Sequence, residues 1–590
     1  MKIKKIIIHN WRSIKYVEIG FQNLMIFIGQ NNHGKSNILS ALLFFFGQIN
    51  VDGLDYHINE TELYVEVIFG ELDNDEKSTF SKYVTTENTI RVKKTASKDG
   101  EFGYNGFIEQ PNIDWLKEEN ISNYTNRDSA SQLPLYKYLP SSGRITQDLF
   151  KAAQKEYIKL NRDKINFTYA LESTPFLGAR NVAKGIFGEV FYLPSVKNVK
   201  EELSTRGNSV FGQLYSRVIL RMSEQNKEFI DAKNKMLSLV GVLNKLTEDG
   251  KPNKERPKEL SELESLIDNE LKGWNTKVDV EIMPPNVDDI FKVGAEIWVD
   301  DGIRTDIERK GHGLQRAFIF ALLKAWSIVI TEENKENKDD KKSTRKASRT
   351  NYFIFEEPEL YLHPQAQREL FSALVDLTKS ESQVILCTHS SSFLDLNHHK
   401  SICIVKKESI KEGTSIFQCT ENIFSEEEDK KQFDMTYWIN PDRGELFFAK
   451  KVILLEGQTD KTILPLLAQK LGVFRFDYTL IDCGSKDAIP AYVKLLNKFS
   501  LKYLVVYDID NQSDKSEEQK KEANSKSKLI EEAVDKALGT SVKFENDIEE
   551  ELGMKEKPKS KKPYRVLKFT TDKAFKVDSQ LEKKVIQIFS

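Results

Sequence analysis

No apolar run in these 590 residues approaches the roughly 18 to 20 that a membrane span needs, and the opening Met1-Lys-Ile-Lys-Lys-Ile leads into a strand pattern in place of a signal peptide. The expectation is a cytoplasmic chain with no membrane partner. Cysteine is scarce as well. Cys387, Cys403, Cys419 and Cys483 are scattered without a C-x-x-C pair, which indicates neither a zinc ribbon nor a disulfide framework. Cys387 and Cys403 lie in apolar runs and read as small core residues. An excess of one charge sign is also missing. With 87 Lys+Arg against 90 Asp+Glu the net charge is -3, which neither requires nor excludes nucleic acid, because binding depends on local basic patches.

What is present is length and patterning. A chain of 590 residues with 39% hydrophobic content exceeds one core, so two soluble domains are expected, the first carrying an insertion. Residues 1 to 75 read as strands Ile3–His9, Tyr16–Phe21 and Leu24–Ile28, a helix Lys35–Gly47 and a strand Leu63–Phe69, the order of a nucleotide-binding α/β sheet. Between residues 145 and 275 the pattern turns helical, with heptad-like spacing over Phe211–Met222 and Met236–Leu246, and reads as an inserted arm suited to dimerisation. Thr331–Thr350 and Gln512–Lys528 are dense in charge and read as solvated loops within domains. Near Asn440–Glu445 the pattern resets into a new strand, helix, strand series, which sets expected domains at 1–440 and 445–590.

Four elements of the first part carry nucleotide chemistry. Gly29-Gln-Asn-Asn32-His-Gly34-Lys35-Ser36 follows an apolar strand and opens a helix. Its glycines let backbone N–H groups wrap phosphates, Lys35 reaches the outer phosphates and the Ser36 hydroxyl can ligate Mg²⁺. The strand Tyr352-Phe-Ile-Phe355 ends in Glu356-Glu357, which sets one carboxylate for the magnesium ion and the next for the attacking water. Glu356 stands where aspartate is usual. Val384-Ile-Leu-Cys-Thr-His389 ends a further strand in a histidine placed to sense the γ-phosphate, although a lone histidine also fits a capped or core imidazole. Gly311-His-Gly313-Leu-Gln315-Arg316 then leads into the apolar helix Ala317–Trp326.

In this order the four elements resemble the ABC-type ATPases of the SMC and RecF group, as does Ile8-His-Asn-Trp11-Arg12-Ser-Ile. The resemblance implies that Gly311, Gly313 and Gln315 close over a nucleotide held by a second copy, hence a homodimer or higher assembly. Arg309-Lys310 replaces the serine usual before the first signature glycine, so ATP binding is a firmer expectation than ATP hydrolysis.

The second part carries acids. Glu456 and Asp460 follow the run Val452–Leu455, and Asp508 and Asp510 follow Tyr503–Tyr507 with the alternation that points both to one side. Brought into one cleft, four carboxylates need protons or cations, and a divalent metal is the natural neutraliser. Glu456-Gly plus Asp508-x-Asp510 resembles the Toprim fold. Joined to an ABC-type ATPase, and with Asn440-Pro-Asp-Arg443-Gly-Glu445 before the strand and Glu357-Pro-Glu-Leu-Tyr-Leu-His363-Pro364 upstream, the chain resembles the OLD (overcoming lysogenization defect) family of nucleases. The fold class implied is α/β throughout: an ABC/SMC-like P-loop ATPase domain with a helical insertion, then a parallel-sheet Toprim domain.

That resemblance implies Glu456 and Asp460 as ligands of one metal site and Asp508 and Asp510 of another. It also calls for a further acid from Glu545, Asp547 or Glu549, of which Glu545 is favoured, and for a lysine before proline, met by Lys562-Pro563. Lys562 equally fits the solvated run Lys555–Lys562. The function implied is an ATP-regulated, Mg²⁺- or Mn²⁺-dependent DNA endonuclease or nickase working through two ions about 4 Å apart. Its setting would be bacterial defence against phage, alone, with a helicase, or with a retron reverse transcriptase and its DNA/RNA product. The rival reading is an SMC-like DNA clamp switched by ATP, in which the acids are structural.

Overall fold

The computed structural model describes residues 1–172, 174–178, 185–195, 211–212, 226–245, 252–270, 280, 297–315, 317–322, 325, 348, 350–379, 382–407, 409, 411–422, 441–510, 512, 516–554, 558 and 560–590. The chain forms two compact units, Met1–Leu193 with Lys342–Leu360 and Gln367–Ser590, and Pro194–Lys341 with Tyr361–Ala366. Residues 423–440, which include the start of the expected boundary, lie outside the described residues, and the chain on both sides of them belongs to the first unit.

In the first unit, strands β1 (Lys2–Trp11), β2 (Ile14–Gly20), β3 (Leu24–Ile28) and β4 (Glu62–Gly70) fall where the apolar alternation predicts. β5 (Ile90–Ser97), β6 (Phe102–Pro111) and β7 (Phe167–Leu171) extend an antiparallel sheet in the order β2-β1-β4-β5-β6-β7. β3 is buried at every position and belongs to a different sheet, as a continuous apolar run in a parallel sheet should.

That second sheet takes in β8 (Glu189–Leu193). The chain then passes through the other unit, where a small hairpin of β9 (Trp298–Asp300) and β10 (Arg304–Asp306) is described. It returns with β11 (Asn351–Glu356), β12 (Ser382–Cys387), β13 (Ile402–Lys407) and β14 (Thr414–Gln418) to complete the order β14-β13-β3-β12-β11-β8. All neighbours are parallel except β14 on β13. The helix Lys35–Phe45 is apolar all round and is buried from Ile38 to Phe45 in the core between the two sheets.

Two expectations need correcting. The 145–275 stretch is not uniformly helical: it contains the helices Gln147–Asn161, Lys227–Leu243 and Lys258–Glu270, but also β7 and β8, each completing a sheet edge. The heptad-spaced Phe211–Met222 is almost wholly outside the described residues, as are residues 331–347 of the first charged loop. The second charged stretch is largely a helix, Glu517–Ala533, because Ser516 and Gln519 form a capping box and Ala523, Ser527 and Ile530 bury one face at helical spacing. Charge density concealed that stripe.

The C-terminal part is a parallel sheet of β15 (Lys451–Leu455), β16 (Tyr478–Asp482), β17 (Tyr503–Asp508) and β18 (Gly539–Phe544) in the order β16-β15-β17-β18. From β15 the chain moves first to one side, then back past it to the other. The strand order therefore reverses between β15 and β17, and ligands of open α/β sheets gather at the carboxyl ends of such a pair. Glu456 and Asp508 stand there. Among the described residues, no helix is long and apolar enough to cross a membrane.

Candidate nucleotide and carboxylate sites

The loop after β3 is shaped by two glycines that nothing larger can replace. Gly29 (φ 143°) faces the Val405 carbonyl so closely that a Cβ would overlap it. Gly34 (φ 103°) lies against Thr414 and Ser13, whose Oγ a Cβ would meet at 2.9 Å. Asn32 (φ 62°) supplies a third left-handed residue. Lys35 is only 5% exposed and its ammonium donates to the Gly29 and Gln30 carbonyls at 2.9 and 3.0 Å. Burial lowers its pKa, opposed by Cys387 and by the carboxylates Glu357, Glu359 and Glu356. Ser36 is exposed at the helix start.

β12 and β11 lie successively beside β3, which brings the expected acids and histidine to the lysine. Glu356 accepts from the Tyr192 hydroxyl at 3.0 Å, and Glu357 adopts a left-handed backbone (φ 47°) at the strand end. His389 Nε2 is 3.6 Å from Glu357 Oε1, but burial and then Lys35 depress the imidazole pKa to about 4. At neutral pH this is a contact with a neutral ring and not an ion pair. Glu359 was missed by the sequence reading although it lies in the same acidic run: it is 8% exposed, it accepts from the His389 N–H at 2.6 Å, and burial raises its pKa. Tyr192 could not have been found, since its segment reads as helix.

The glycine-rich element belongs to the other unit. Gly311 faces open space, a Cβ on Gly313 would meet the Tyr361 carbonyl at 3.1 Å, and Gln315 is buried with its side-chain nitrogen donating to the carbonyls of Ile307, Glu308 and Lys310 at 3.0, 3.0 and 2.8 Å. That donor is spent on holding its own loop. Lys310 pairs with Asp301 and donates to the Ile303 carbonyl at 2.7 Å, and Arg309 ends the short helix before it.

At the sheet reversal, the Glu456 carboxylate accepts from the Asp508 backbone N–H at 3.3 Å, so the two strand ends face one another. Asp460, in the first turn of the helix Gln458–Lys470, is 7% exposed and its Oδ1 has no hydrogen-bond partner. Burial, then Glu456 and Glu549, push its pKa to about 7. Asp508 rises to about 9 through burial and the fields of Asp460, Glu456, Asp510 and Asp547. Asp510 does not continue the strand alternation; it takes a left-handed backbone (φ 63°), which aspartate tolerates, and lies 3.8 Å from the Lys486 ammonium. Lys486, 5% exposed, also donates to the Asp508 carbonyl.

The three downstream acids differ in their surroundings. Glu545 is exposed and lines a separate surface cavity, whereas Glu549 is fully buried and acts on Asp460. Asp547 caps the turn that carries Glu549, accepts from Gln512 at 2.8 Å and acts on Asp508. The short helix Ile548–Glu551, capped by Asp547, buries Glu549, while Glu545 before it stays at the surface. Lys562 is 2.9 Å from Glu549 Oε1; burial alone would lower its pKa, but the bond to Glu549 and the fields of Asp547 and Asp508 raise it.

The donor set fits hard divalent cations: it is all carboxylate oxygen, burial and mutual repulsion raise the pKa of two of its acids, and Asp460 Oδ1 and Glu549 Oε2 are buried without a hydrogen bond. Among the described residues no three such side chains stand at ligating distance as they are.

A family model described as the AAA ATPase domain matches residues 1–394, and one described as the overcoming lysogenization defect protein-like TOPRIM domain matches residues 447–510. The Old nuclease of Escherichia phage P2 is 23% identical over 525 residues, 86% of this chain and 77% of that protein. The OLD nuclease of Thermus scotoductus is 30% identical over 181 residues, 29% of this chain and 34% of that protein. Endonuclease GajA of Bacillus cereus is 28% identical over 193 residues, 29% of this chain and 28% of that protein. With the P-loop site on the central strand of one sheet and the carboxylates at the reversal of another, the chain belongs to the AAA ATPase domain family and, through the TOPRIM domain behind it, to the OLD family of ATPase–TOPRIM proteins.

Proposed function

We propose that this protein is a nuclease that hydrolyses DNA phosphodiester bonds at the carboxylate cluster in a divalent-metal-dependent reaction, governed by nucleotide at the P-loop. The observation that carries the reading is the convergence of Glu456, Asp460, Asp508 and Glu549 at the sheet reversal, with Asp508 and Asp460 raised to about 9 and about 7. Lys562 and Lys486 pair with Glu549 and Asp510, yet Asp460 Oδ1 and Glu549 Oε2 stay buried without a hydrogen bond, acceptors a purely structural cluster would be expected to satisfy.

What bound divalent ions would supply is Lewis-acid polarisation of a scissile phosphate and of the attacking water. The chain's own groups divide the remaining work. Glu456 and Asp460 serve one ion position, Asp508 and Asp510 the other, and Glu549 completes the first. Lys562 stands beside the cluster, where a cation offsets charge gathering on the phosphate. Lys486 fixes the Asp508 carbonyl and the Asp510 carboxylate. In the ATPase part, Lys35 would exchange its bonds to the loop carbonyls for nucleotide phosphates, with Ser36 and Glu356 toward the metal, Glu357 toward the attacking water and His389 near the γ-phosphate. The functional domains on this reading are 1–440 and 445–590, assembled as a homodimer or larger, acting in defence against phage.

Supercoiled plasmid nicking decides it. Cleavage should need Mg²⁺ or Mn²⁺, stop with chelator, and be lost in Asp508→Ala. Cleavage that survives both would reduce the cluster to a structural feature.

A further inference from the structure

Against the phosphate loop the first unit holds a cavity of about 420 Å³, within the roughly 300 to 1,000 Å³ of small-molecule sites. Gly29, Gln30 and His33 form one wall; Asn32, Gly34, Lys35 and Ser36 are not part of it. The end of β13 and the lead-in to the TOPRIM sheet form the others.

The charge on these walls is lopsided. Lys406, Lys407, Lys450 and Lys502 all line the space, against one acid, Asp477. Asp477 is already engaged, with Arg475 at 2.8 Å and Lys450 at 3.7 Å. In a chain whose total charge is -3, four lysines and one acid line this concavity, Lys406 donating to the Ser500 carbonyl and Lys450 sharing Asp477, a balance that favours an anion. Half-buried Phe448 adds a flat apolar surface beside them, suited to a base. Lysines for phosphates and a ring for a base describe a nucleotide.

The cavity also touches both halves of the machinery. Its P-loop wall is made of Gly29 and Gln30, whose carbonyls hold Lys35. Lys406, next to the Val405 that packs on Gly29, donates at 3.0 Å to the carbonyl of Ser500, three residues before β17 and the Asp508 it carries. An occupant would contact the ATP loop and the strut to the carboxylate sheet at once.

We propose that this cavity is a second nucleotide-phosphate site, distinct from the P-loop, through which a free nucleotide or the 5′-phosphorylated end of a strand is sensed by both domains. It stands on the cavity and its charges and not on the cleavage reading. Binding is measured on the full chain carrying Lys35→Ala, which disables the P-loop, using ATP, inorganic tripolyphosphate and a 5′-phosphorylated single-stranded oligonucleotide as probes. The expected result is saturable binding of about one equivalent, weakened at least about tenfold by adding Lys407→Glu and Lys502→Glu. Binding of ATP and tripolyphosphate assigns the site to free nucleotide; binding of the oligonucleotide alone assigns it to strand ends. Lys407→Gln with Lys502→Gln gives a milder pair should the reversed charges unfold the protein. No saturable binding of any probe, or binding that neither pair weakens, overturns the proposal. Plasmid cleavage is scored separately, so such a failure leaves the nuclease reading standing.

Discussion

Asp508→Asn tests the carboxylate cluster through stability as well as activity. Without metal, Asp508 keeps its proton to about pH 9, held there by burial and then by Asp460, Glu456, Asp510 and Asp547. The unfolded chain releases that proton near pH 4. Because the folded pKa is the higher one, the native state is favoured fully below about pH 4 and loses that advantage as pH rises toward 9, at about 1.4 kcal/mol per pH unit. From pH 4 to about pH 7.5 the arithmetic gives roughly 5 kcal/mol; partial solvent access at Asp508 brings the expected cost to about 2–3 kcal/mol. Asparagine cannot ionise, so the variant should be more stable than the parent at about pH 8 and nearly equal to it at about pH 4. Divalent ions should restore the parent at the higher pH and do little for the variant. Hydrogen exchange of peptides spanning β15 and β17 reads this sheet apart from the rest of the chain. An asparagine advantage independent of pH, or equal stabilisation of both proteins by Mg²⁺, would refute the reasoning.

Gly29→Ala should weaken ATP binding by more than about tenfold and destabilise the protein by about 1–3 kcal/mol, since the new methyl overlaps the Val405 carbonyl; ATP titration and melting check it. His389, depressed to about 4, stays neutral from about pH 6 to 8, so ATP affinity should be flat over that range. Its contribution to stability is lost only as pH falls through its unfolded value near 6.5 toward 4, which a pH series of melting curves would reveal. Lys562→Ala should abolish cleavage and cost about 1–3 kcal/mol by leaving Glu549 buried without its cation, whereas Lys562→Met with Glu549→Gln should recover the stability and not the cleavage. Glu545→Gln should cut like the parent while Glu549→Gln should not; plasmid assays of the pair test which downstream acid belongs to the cluster.

The strands and loop that carry the nucleotide site were legible because each is written locally. An apolar run, a glycine turn and an apolar helix follow in order from Leu24 to Phe45, and the acids and His389 end runs just as plain. Glu456 and Asp508 were legible for the same reason, as both end buried strands. What escaped depends on turns and long-range pairing. Glu549 is turned inward by a short helix capped by Asp547, a geometry set after the strand ends. Tyr192 reaches Glu356 only because β8 pairs with β11 across 164 residues of sequence. That the Gln315 donor braces its own loop was equally hidden, since the carbonyls it meets come from the turn before it.

The helix Lys35–Phe45 leaves one more consequence. Sheets enclose it on opposing sides, Ser40 accepts from the Trp11 indole at 2.9 Å, and Phe44 stacks on that ring at 5.1 Å. A part so clamped serves as an anvil: it cannot recoil when phosphates arrive at its tip. A response to nucleotide would then rest on the pieces at that tip, Thr414 and Ser13 against Gly34 and the left-handed corner at Glu357. Trimming the anvil's packing, for instance at Leu42, would blunt the response without touching a single group that meets the nucleotide.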